Sequence, residues 1–256
     1  MLGIDTTFDY WADLNPGLSI WDAKGSADPD AKSKPLQAAH QMLWSKRLPN
    51  GEKFELKPVQ GTQLQWGTCR LSSDSISNSY ITNSRMRQVV LHARDHAEEL
   101  FRCGSKIGGF ILFPAYCVDR KNTINAARGM STKIGDRMDL TLEAIRRHYA
   151  GEESPLTEVL DRYSDFFELF VNFTGYVDFW LLNDLVDDQY RVRFYLPFDN
   201  FRRSAAPVDA DEYFQLKSAS TLFLEARTNR IATQQATQPD ASSAGAGLHK
   251  HWRRNR

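Results

Sequence analysis

Residues Asn122–Tyr149 read NTINAARGMSTKIGDRMDLTLEAIRRHY and carry four arginines, one lysine, two aspartates and one glutamate. At about 100° per residue, the second half of this stretch predicts a helix over Arg137–Ala150. Its apolar side chains share one face, which we expect to point into the core: Met138, Leu142, Ile145 and Tyr149. Its charged side chains share the opposite edge: Asp136, Asp139, Glu143, Arg146 and Arg147.

One interpretation of the charged edge is a polar functional site. Guanidinium groups hold carboxylate or phosphate oxygens in a fork, and carboxylates serve as acids, bases or metal ligands. The candidate catalytic residues are Asp139 and Glu143. The candidate ligand-binding residues, which would hold an anionic group, are Arg128, Lys133, Arg137 and Arg146.

The alternative interpretation of the same edge is structural. Asp136 would cap the helix and Asp139 would complete a capping box. Glu143 and Arg147 would form an i, i+4 ion pair, which contributes about 0.2–0.5 kcal/mol. Arg128 has no partner within the predicted helix, so its environment decides between the two interpretations.

The remaining patterns predict an α+β domain with a small mixed sheet packed by aromatic-rich helices. Two stretches predict the strands of this sheet: the apolar run Ile107–Tyr116 and the alternating run Arg191–Phe198. A helix is expected to start at Ser154-Pro155. Its apolar stripe would contain Leu156, Val159, Leu160, Tyr163, Phe166, Phe167 and Phe170.

The domain is expected to span residues 1–232, with a disordered basic tail over 233–256. The tail is rich in Gln, Ala, Ser, Thr and Gly and ends in HKHWRRNR, so it has too little apolar surface to order itself. A further helix is expected over Ala210–Arg230.

Composition excludes several classes of protein. Basic and acidic residues balance at 32 each, so no net field draws the chain to nucleic acid or to a membrane. The three cysteines, Cys69, Cys103 and Cys117, form no CxxC pair, and HEXXH is absent, so we name no metal residue.

The chain has no secretion signal and no transmembrane run, which predicts a cytoplasmic protein. Walker A and GxGxxG motifs are also absent.

Long blocks of the chain resemble an uncharacterised bacterial family, a domain of unknown function. The blocks include LWSKRLPNGEKFEL at Leu43–Leu56, LSSDSI at Leu71–Ile76 and GGFILFP at Gly108–Pro114, followed by TINAARG, DRMDLTLEAIRRHY, SPLTEVLDRYSDFFELF and GYVDFWLLNDLV. The resemblance covers most of residues 1–225 and implies a single cytoplasmic domain. It implies no activity.

Two hypotheses of function follow. The first is an intracellular binding or regulatory protein whose ligand the sequence does not determine; an anionic small molecule and a nucleotide are the candidate partners. The second is an enzyme that acts on a phosphate-bearing substrate, a nucleotide or nucleic acid, through the Arg/Asp/Glu site. A nucleic-acid partner stays open and a membrane partner is not expected, while the sequence indicates neither a cofactor nor an oligomeric state.

Overall fold

A computed structural model of the chain describes residues 3–22, 25–83, 85–116, 118 and 121–237. It is an α+β fold, as predicted. The four strands are β1 (Lys57–Pro58), β2 (Leu64–Trp66), β3 (Cys69–Ser75) and β4 (Phe110–Pro114). The helices are α1 (Tyr10–Leu14), α2 (Pro29–Lys32), α3 (Lys34–Trp44), α4 (Arg87–His92), α5 (Arg94–Gly104), α6 (Ile124–Met130), α7 (Met138–Ala150), α8 (Thr157–Asp161), α9 (Ser164–Glu168), α10 (Phe173–Phe179) and α11 (Ala210–Thr237).

The sheet has the order β1-β2-β3-β4, and each neighbouring pair is antiparallel. We expected a mixed sheet, and that detail is wrong. The reason is local, because β2 and β3 are joined by a two-residue turn in which Gly67 has a φ of 55°. A connection so short joins only antiparallel strands.

The predicted strand at Ile107–Tyr116 is confirmed in its centre. A 3₁₀ turn covers Ile107–Gly109, and all five residues of β4 are buried. Its ladder with β3 runs from Leu71 opposite Pro114 to Ser75 opposite Phe110. This register places Asp74 opposite Ile111, inside the sheet and away from solvent.

The predicted strand at Arg191–Phe198 is wrong. Its only strand-like contact among the described residues is an isolated bridge between Val192 and Val186. Phe194 and Phe198 instead stack on each other, with ring centroids 4.1 Å apart. The alternation of large apolar residues therefore serves side-chain packing beside α7 and pairs with no strand of the sheet.

The stripe predicted after Ser154 is buried throughout, although two short helices, α8 and α9, replace one long helix. Phe167 lies in the centre of this aromatic cluster. Its ring contacts those of Phe166, Tyr149 and Tyr176 at centroid distances of 5.4, 6.0 and 5.7 Å. Edge-to-face and tilted contacts of this kind add to the free energy gained by burying the rings.

Helix α11 is fixed to the core by Arg227, whose side chain is fully buried. The guanidinium donates hydrogen bonds to the carbonyl oxygens of Gly108 at 2.7 Å, Phe110 at 2.8 Å and Trp180 at 3.1 Å. Burial lowers the pKa of Arg227 to about 10. These carbonyls join α11 to the start of β4 and to the end of α10.

The end of the domain differs from the expectation in one detail. Helix α11 runs on to Thr237, past the predicted start of the tail at Thr233, and the Ile4 amide donates to the Gln235 side chain at 2.7 Å. Cys117 and residues 238–256, which form the rest of the predicted tail, lie outside the described residues. Within the described part of the chain, no helix has the length and apolarity needed to cross a membrane.

Replacing Phe167 by Ala is expected to reduce the free energy of unfolding by about 3–5 kcal/mol, because the substitution empties a fully packed aromatic site. The measurement is a urea titration followed by tryptophan fluorescence. Val208→Ala, at a side chain that is 71% exposed, is the matched control and should shift the midpoint little. An unchanged midpoint in Phe167→Ala would contradict the packing described here.

Candidate functional site

Arg128 lies on α6, and its side chain is completely buried. Its guanidinium forms an ion pair with Asp74 of β3. It also donates to Thr141 Oγ1 at 2.9 Å and to the Asp136 carbonyl at 3.2 Å. Arg128 therefore connects the sheet to the first turns of α7, as the structural interpretation requires, and it does not line an open cleft.

The Arg128–Asp74 pair lies in an apolar environment. The guanidinium carbon of Arg128 is 5.4 Å from the centre of the Phe113 ring. Burial raises the pKa of Asp74, and the positive charge of Arg128 opposes that rise. A buried ion pair needs such tight partnering, because each charge has lost its water.

Arg137 and Asp139 form a second ion pair at the start of α7. Arg137 Nε donates to Asp139 Oδ1 at 3.1 Å, and Arg137 Nη1 donates to the Ala205 carbonyl at 3.0 Å. Asp139 also accepts the Tyr195 amide at 2.9 Å. The pair thus fastens the segment between Tyr195 and Ala205 over the helix, which explains why the predicted charged edge is buried here.

The predicted cap of α7 at Asp136 is wrong. The residue at the cap position is Arg137, and it makes no side-chain capping bond. Asp136 has a φ of 57°, and a Cβ built on Gly129 would lie 3.2 Å from its Oδ2 atom. The Asp136 carboxylate therefore lies close to the Gly129 backbone, which explains why a residue without a side chain stands next to Arg128.

Glu143 is 5% exposed and accepts from two arginines. Arg146 Nε donates to Oε2 at 2.8 Å, and Arg147 Nε donates to Oε1 at 2.8 Å, so the predicted i, i+4 pair is present. Arg146 also pairs with Glu152. Lys133 donates to the carbonyl oxygen of Arg202, which lies in the segment between Tyr195 and Ala205.

Two of the candidate residues, Glu143 and Arg146, line an open cleft of about 690 Å³ beside α7, which we call the α7 cleft. The other walls come from the start of α10 and from the loop that follows Val186. The complete lining is Glu143, Arg146, Tyr149, Ala150, Asn172, Phe173, Thr174, Gln189, Tyr190, Arg191, Val192, Phe194 and Phe198. Arg128, Lys133, Arg137 and Asp139 are not part of it.

A second polar cavity, of about 510 Å³, was not predicted from the sequence, and we call it the Asp30 cavity. It lies between α2, the turn at 60–63, β3 and α6. Its lining is Asp28, Asp30, Ala31, Gln60, Gly61, Thr62, Gln63, Arg70, Ser72, Ser73 and Asn125. The sequence LSSDSI at Leu71–Ile76 could have indicated a polar cavity here, because an aspartate and three serines inside one strand are unusual.

Asp30 has an unusual environment in this cavity. Its Oδ2 atom accepts the Ser75 amide at 3.0 Å, its Oδ1 atom is buried, and the Ser73 side chain is hydrogen-bonded to the carboxylate. Burial raises the pKa of Asp30 to about 6 and Asp28 adds to the rise, while Ser73, the Ser75 amide and Arg128 oppose it. No group of three His, Cys, Asp or Glu side chains in the described part of the chain has an arrangement suited to a metal ion.

Arg128→Lys is expected to reduce the free energy of unfolding by about 2–4 kcal/mol, because lysine keeps the charge but cannot reach three acceptors in one plane. Thermal and urea unfolding measure the loss. Arg230→Lys is the control, since Arg230 is an exposed arginine paired with Asp184, and it should change stability little. Equal stability of Arg128→Lys and the wild type would show that the planar guanidinium group is not needed at this position.

Asp30→Asn is expected to stabilise the protein above pH 6 and to have no effect below about pH 4. The raised pKa means that the folded state holds a proton that the unfolded state releases, so the wild type loses stability as pH rises from about 4 to 6. Asparagine does not titrate. A pKa change from 3.8 to about 6 corresponds to about 2–3 kcal/mol, which unfolding curves of both proteins across this pH range would measure.

The chain belongs to a family of unknown function, DUF6994, whose family profile matches residues 4–231. This finding agrees with the resemblance seen in the sequence. No curated protein and no solved structure matches the chain. The comparisons therefore leave its function unknown.

Proposed function

We propose, for this member of a family of unknown function, that the protein binds a small anionic molecule with a planar apolar part in the α7 cleft. The observation that carries the proposal is the presence of two guanidinium groups and an aromatic wall in one open cleft. Arg146 and Arg191 supply the cations, and Phe194, Phe198 and Tyr190 supply the rings.

The aromatic wall is preformed. The rings of Phe194 and Phe198 stack in parallel, with an interplanar angle of 5°, and Phe198 packs edge-on against Phe201. The Arg147 guanidinium lies 5.7 Å from the Phe198 ring centre. A planar ligand ring would extend this stack without any rearrangement of the wall.

The two cations keep donors that the protein does not use. Arg191 is 73% exposed, and its pair with Asp187 uses only Nε, at 2.7 Å. The Arg146 pairs with Glu143 and Glu152 use Nε and Nη2. Among the described residues, no acceptor is bonded to Nη1 of either arginine, so both can donate to a ligand carboxylate or phosphate.

The loop that carries Arg191 is held in one shape. Asp187 Oδ1 accepts the amides of Gln189 and Arg191, each at 2.9 Å, and the Asp187 amide donates to the Arg191 carbonyl at 2.9 Å. A preorganised cation loses less conformational entropy when a ligand binds. The fixed position of Arg191 therefore favours binding of one defined ligand over non-specific attraction of ions.

The state of the carboxylates favours a binding protein over the enzyme. Both oxygens of Glu143 accept from arginines, and both oxygens of Asp139 are bonded within the buried frame. A general base needs an oxygen within reach of the substrate proton. We also place this function in the cytoplasm, which the free thiols of Cys69 and Cys103 support.

The test uses the four nucleoside monophosphates and their parent nucleosides, titrated by calorimetry. At least one monophosphate is expected to bind, and to bind about tenfold or more tightly than its nucleoside, because only the phosphate engages the arginines. Arg191→Ala should reduce this difference, because Arg146 alone is then left to bind the phosphate, and Phe194→Leu should weaken nucleotide and nucleoside alike.

Arg230→Ala, which removes an exposed arginine that does not line the α7 cleft, is the matched control and should bind like the wild type. The proposal fails if no monophosphate binds, or if Arg191→Ala and Arg230→Ala bind equally well. Turnover of a bound monophosphate would instead support the enzyme hypothesis.

A further inference from the structure

Arg147 follows Arg146 directly on α7, but it does not line the α7 cleft. Its side chain is 17% exposed, and its three nitrogen atoms all donate within the protein. Nε donates to Glu143 Oε1 at 2.8 Å, Nη1 donates to the Glu153 carbonyl at 3.0 Å, and Nη2 donates to Asn200 Oδ1. Unlike the two arginines of the cleft, Arg147 is therefore bonded entirely to the protein itself.

The same guanidinium packs behind the aromatic wall. Its carbon atom lies 5.7 Å from the centre of the Phe198 ring and 5.0 Å from the centre of the Phe201 ring. Phe194 stacks in parallel on Phe198, with ring centroids 4.1 Å apart. Among the described residues, no further ring or cation packs on Phe194, which lines the α7 cleft. The free face of Phe194 is therefore the part of the wall that a ligand ring can cover.

The backbone that carries the wall is strained. Tyr190 has a φ of 56°, and Asn200 and Phe201, which follow the Phe198 ring, have φ values of 62° and 60°. Holding a residue other than glycine in this left-handed region costs about 1–3 kcal/mol, and the conformation persists only where the surrounding structure fixes it. Asparagine tolerates this region, because its short side chain can form local hydrogen bonds. The conformation of Phe201 therefore depends on contacts from other parts of the structure.

Arg147 supplies contacts to this strained pair. Its bond to the Asn200 side chain and its contact with the Phe201 ring hold both left-handed residues against α7. The other bonds from α7 and from the turn before it hold backbone atoms of the same segment, at Tyr195, Arg202 and Ala205. Arg147 therefore fixes side chains of the segment, whereas those bonds fix its course.

We infer that Arg147 is the positioning residue of the α7 cleft, which fixes the Phe198–Phe194 stack so that the free face of Phe194 binds the ligand ring. This inference rests on the proposed function. It gives the two neighbouring arginines of α7 different roles, because Arg146 donates to the anionic group of the ligand and Arg147 acts through the aromatic wall. A rigid wall loses less conformational entropy when the ligand ring stacks on it.

The test compares Arg147→Met with Arg146→Met, each titrated by calorimetry with the nucleoside monophosphates and nucleosides. Arg147→Met should weaken a monophosphate and its nucleoside by the same factor of about tenfold, the size of one lost stacking contact, so that the ratio of their affinities stays at the wild-type value. The ratio is kept because Glu143 still holds Arg146 by two bonds, at 2.8 and 3.0 Å. Arg146→Met should instead lower the ratio, because it removes a donor to the phosphate.

Variants at Asn200 test the same role without removing a charge from α7. Asn200→Gly removes the acceptor of Arg147 Nη2, while glycine adopts the φ of 62° freely. It should weaken monophosphate and nucleoside together, as Arg147→Met does. Asn200→Asp keeps an acceptor oxygen for the guanidinium, so it should retain the wild-type affinities.

Amide hydrogen exchange of the ligand-free protein tests the positioning directly. The amides of Arg202 and Arg203 donate to the Asp199 carboxylate across the strained pair, at 3.0 and 2.8 Å. In Arg147→Met they should exchange about tenfold faster than in the wild type, because local opening of this segment becomes easier. The Tyr195 amide, bonded to buried Asp139, is the internal control. It should keep its wild-type rate, which shows that the variant is folded.

The two proposals fail separately. If no monophosphate binds to the wild type, the proposed function fails, and the exchange rates still decide whether Arg147 fixes the wall. The inference about Arg147 is overturned if Arg147→Met binds both ligands like the wild type, or if it lowers the affinity ratio as Arg146→Met does. Unchanged exchange at Arg202 and Arg203 would overturn it as well.

Discussion

The buried guanidinium of Arg128 is the interaction on which the rest of the structure depends. It joins Asp74 in β3 to Thr141 in α7 and to the Asp136 carbonyl in the turn between α6 and α7. These acceptors come from three separate segments, so one side chain of α6 bonds the sheet, the turn before α7 and α7 itself. Gly129 lets the Asp136 carboxylate approach closely, which closes the turn around the arginine.

This frame positions the walls of the α7 cleft and of the Asp30 cavity. Helix α6 carries Arg128 on its buried face and Asn125 at the edge of the Asp30 cavity, and β3 places Asp74 next to the serines of the same cavity. Helix α7 carries Thr141 inward and Glu143 and Arg146 toward the α7 cleft. The charged side chains that join the sheet to the helices, Arg128 and Asp74, are therefore different from the charged side chains of α7 that line the α7 cleft.

Much of the fold could be predicted from local patterns. The apolar face of α7, the buried strand β4 and the stripe centred on Phe167 follow from helical or strand periodicity, and all three are present. The resemblance to an uncharacterised family also agreed with the family match. These features depend on residues that are close together in the sequence.

The features that could not be predicted depend on residues far apart in the sequence. Arg128 and Asp74 are separated by 54 positions, and Arg227 finds its carbonyl acceptors 117 and 119 positions away. Periodicity carries no information about such pairs. The alternation in Arg191–Phe198 led to a wrongly predicted strand for a related reason. Large apolar residues pack equally well on an irregular segment, and the buried Arg137–Asp139 pair holds this one in place.

The central claim is that the Arg128–Asp74 pair holds the sheet and the helices together, and a double-mutant cycle tests it most directly. Unfolding free energies of the wild type, Arg128→Met, Asp74→Asn and the double variant would be measured at neutral pH. The account predicts that the double variant loses less stability than the sum of the single losses, with a coupling of about 2 kcal/mol or more. Losses that add to within about 0.5 kcal/mol would show that the two groups act independently and would contradict the claim.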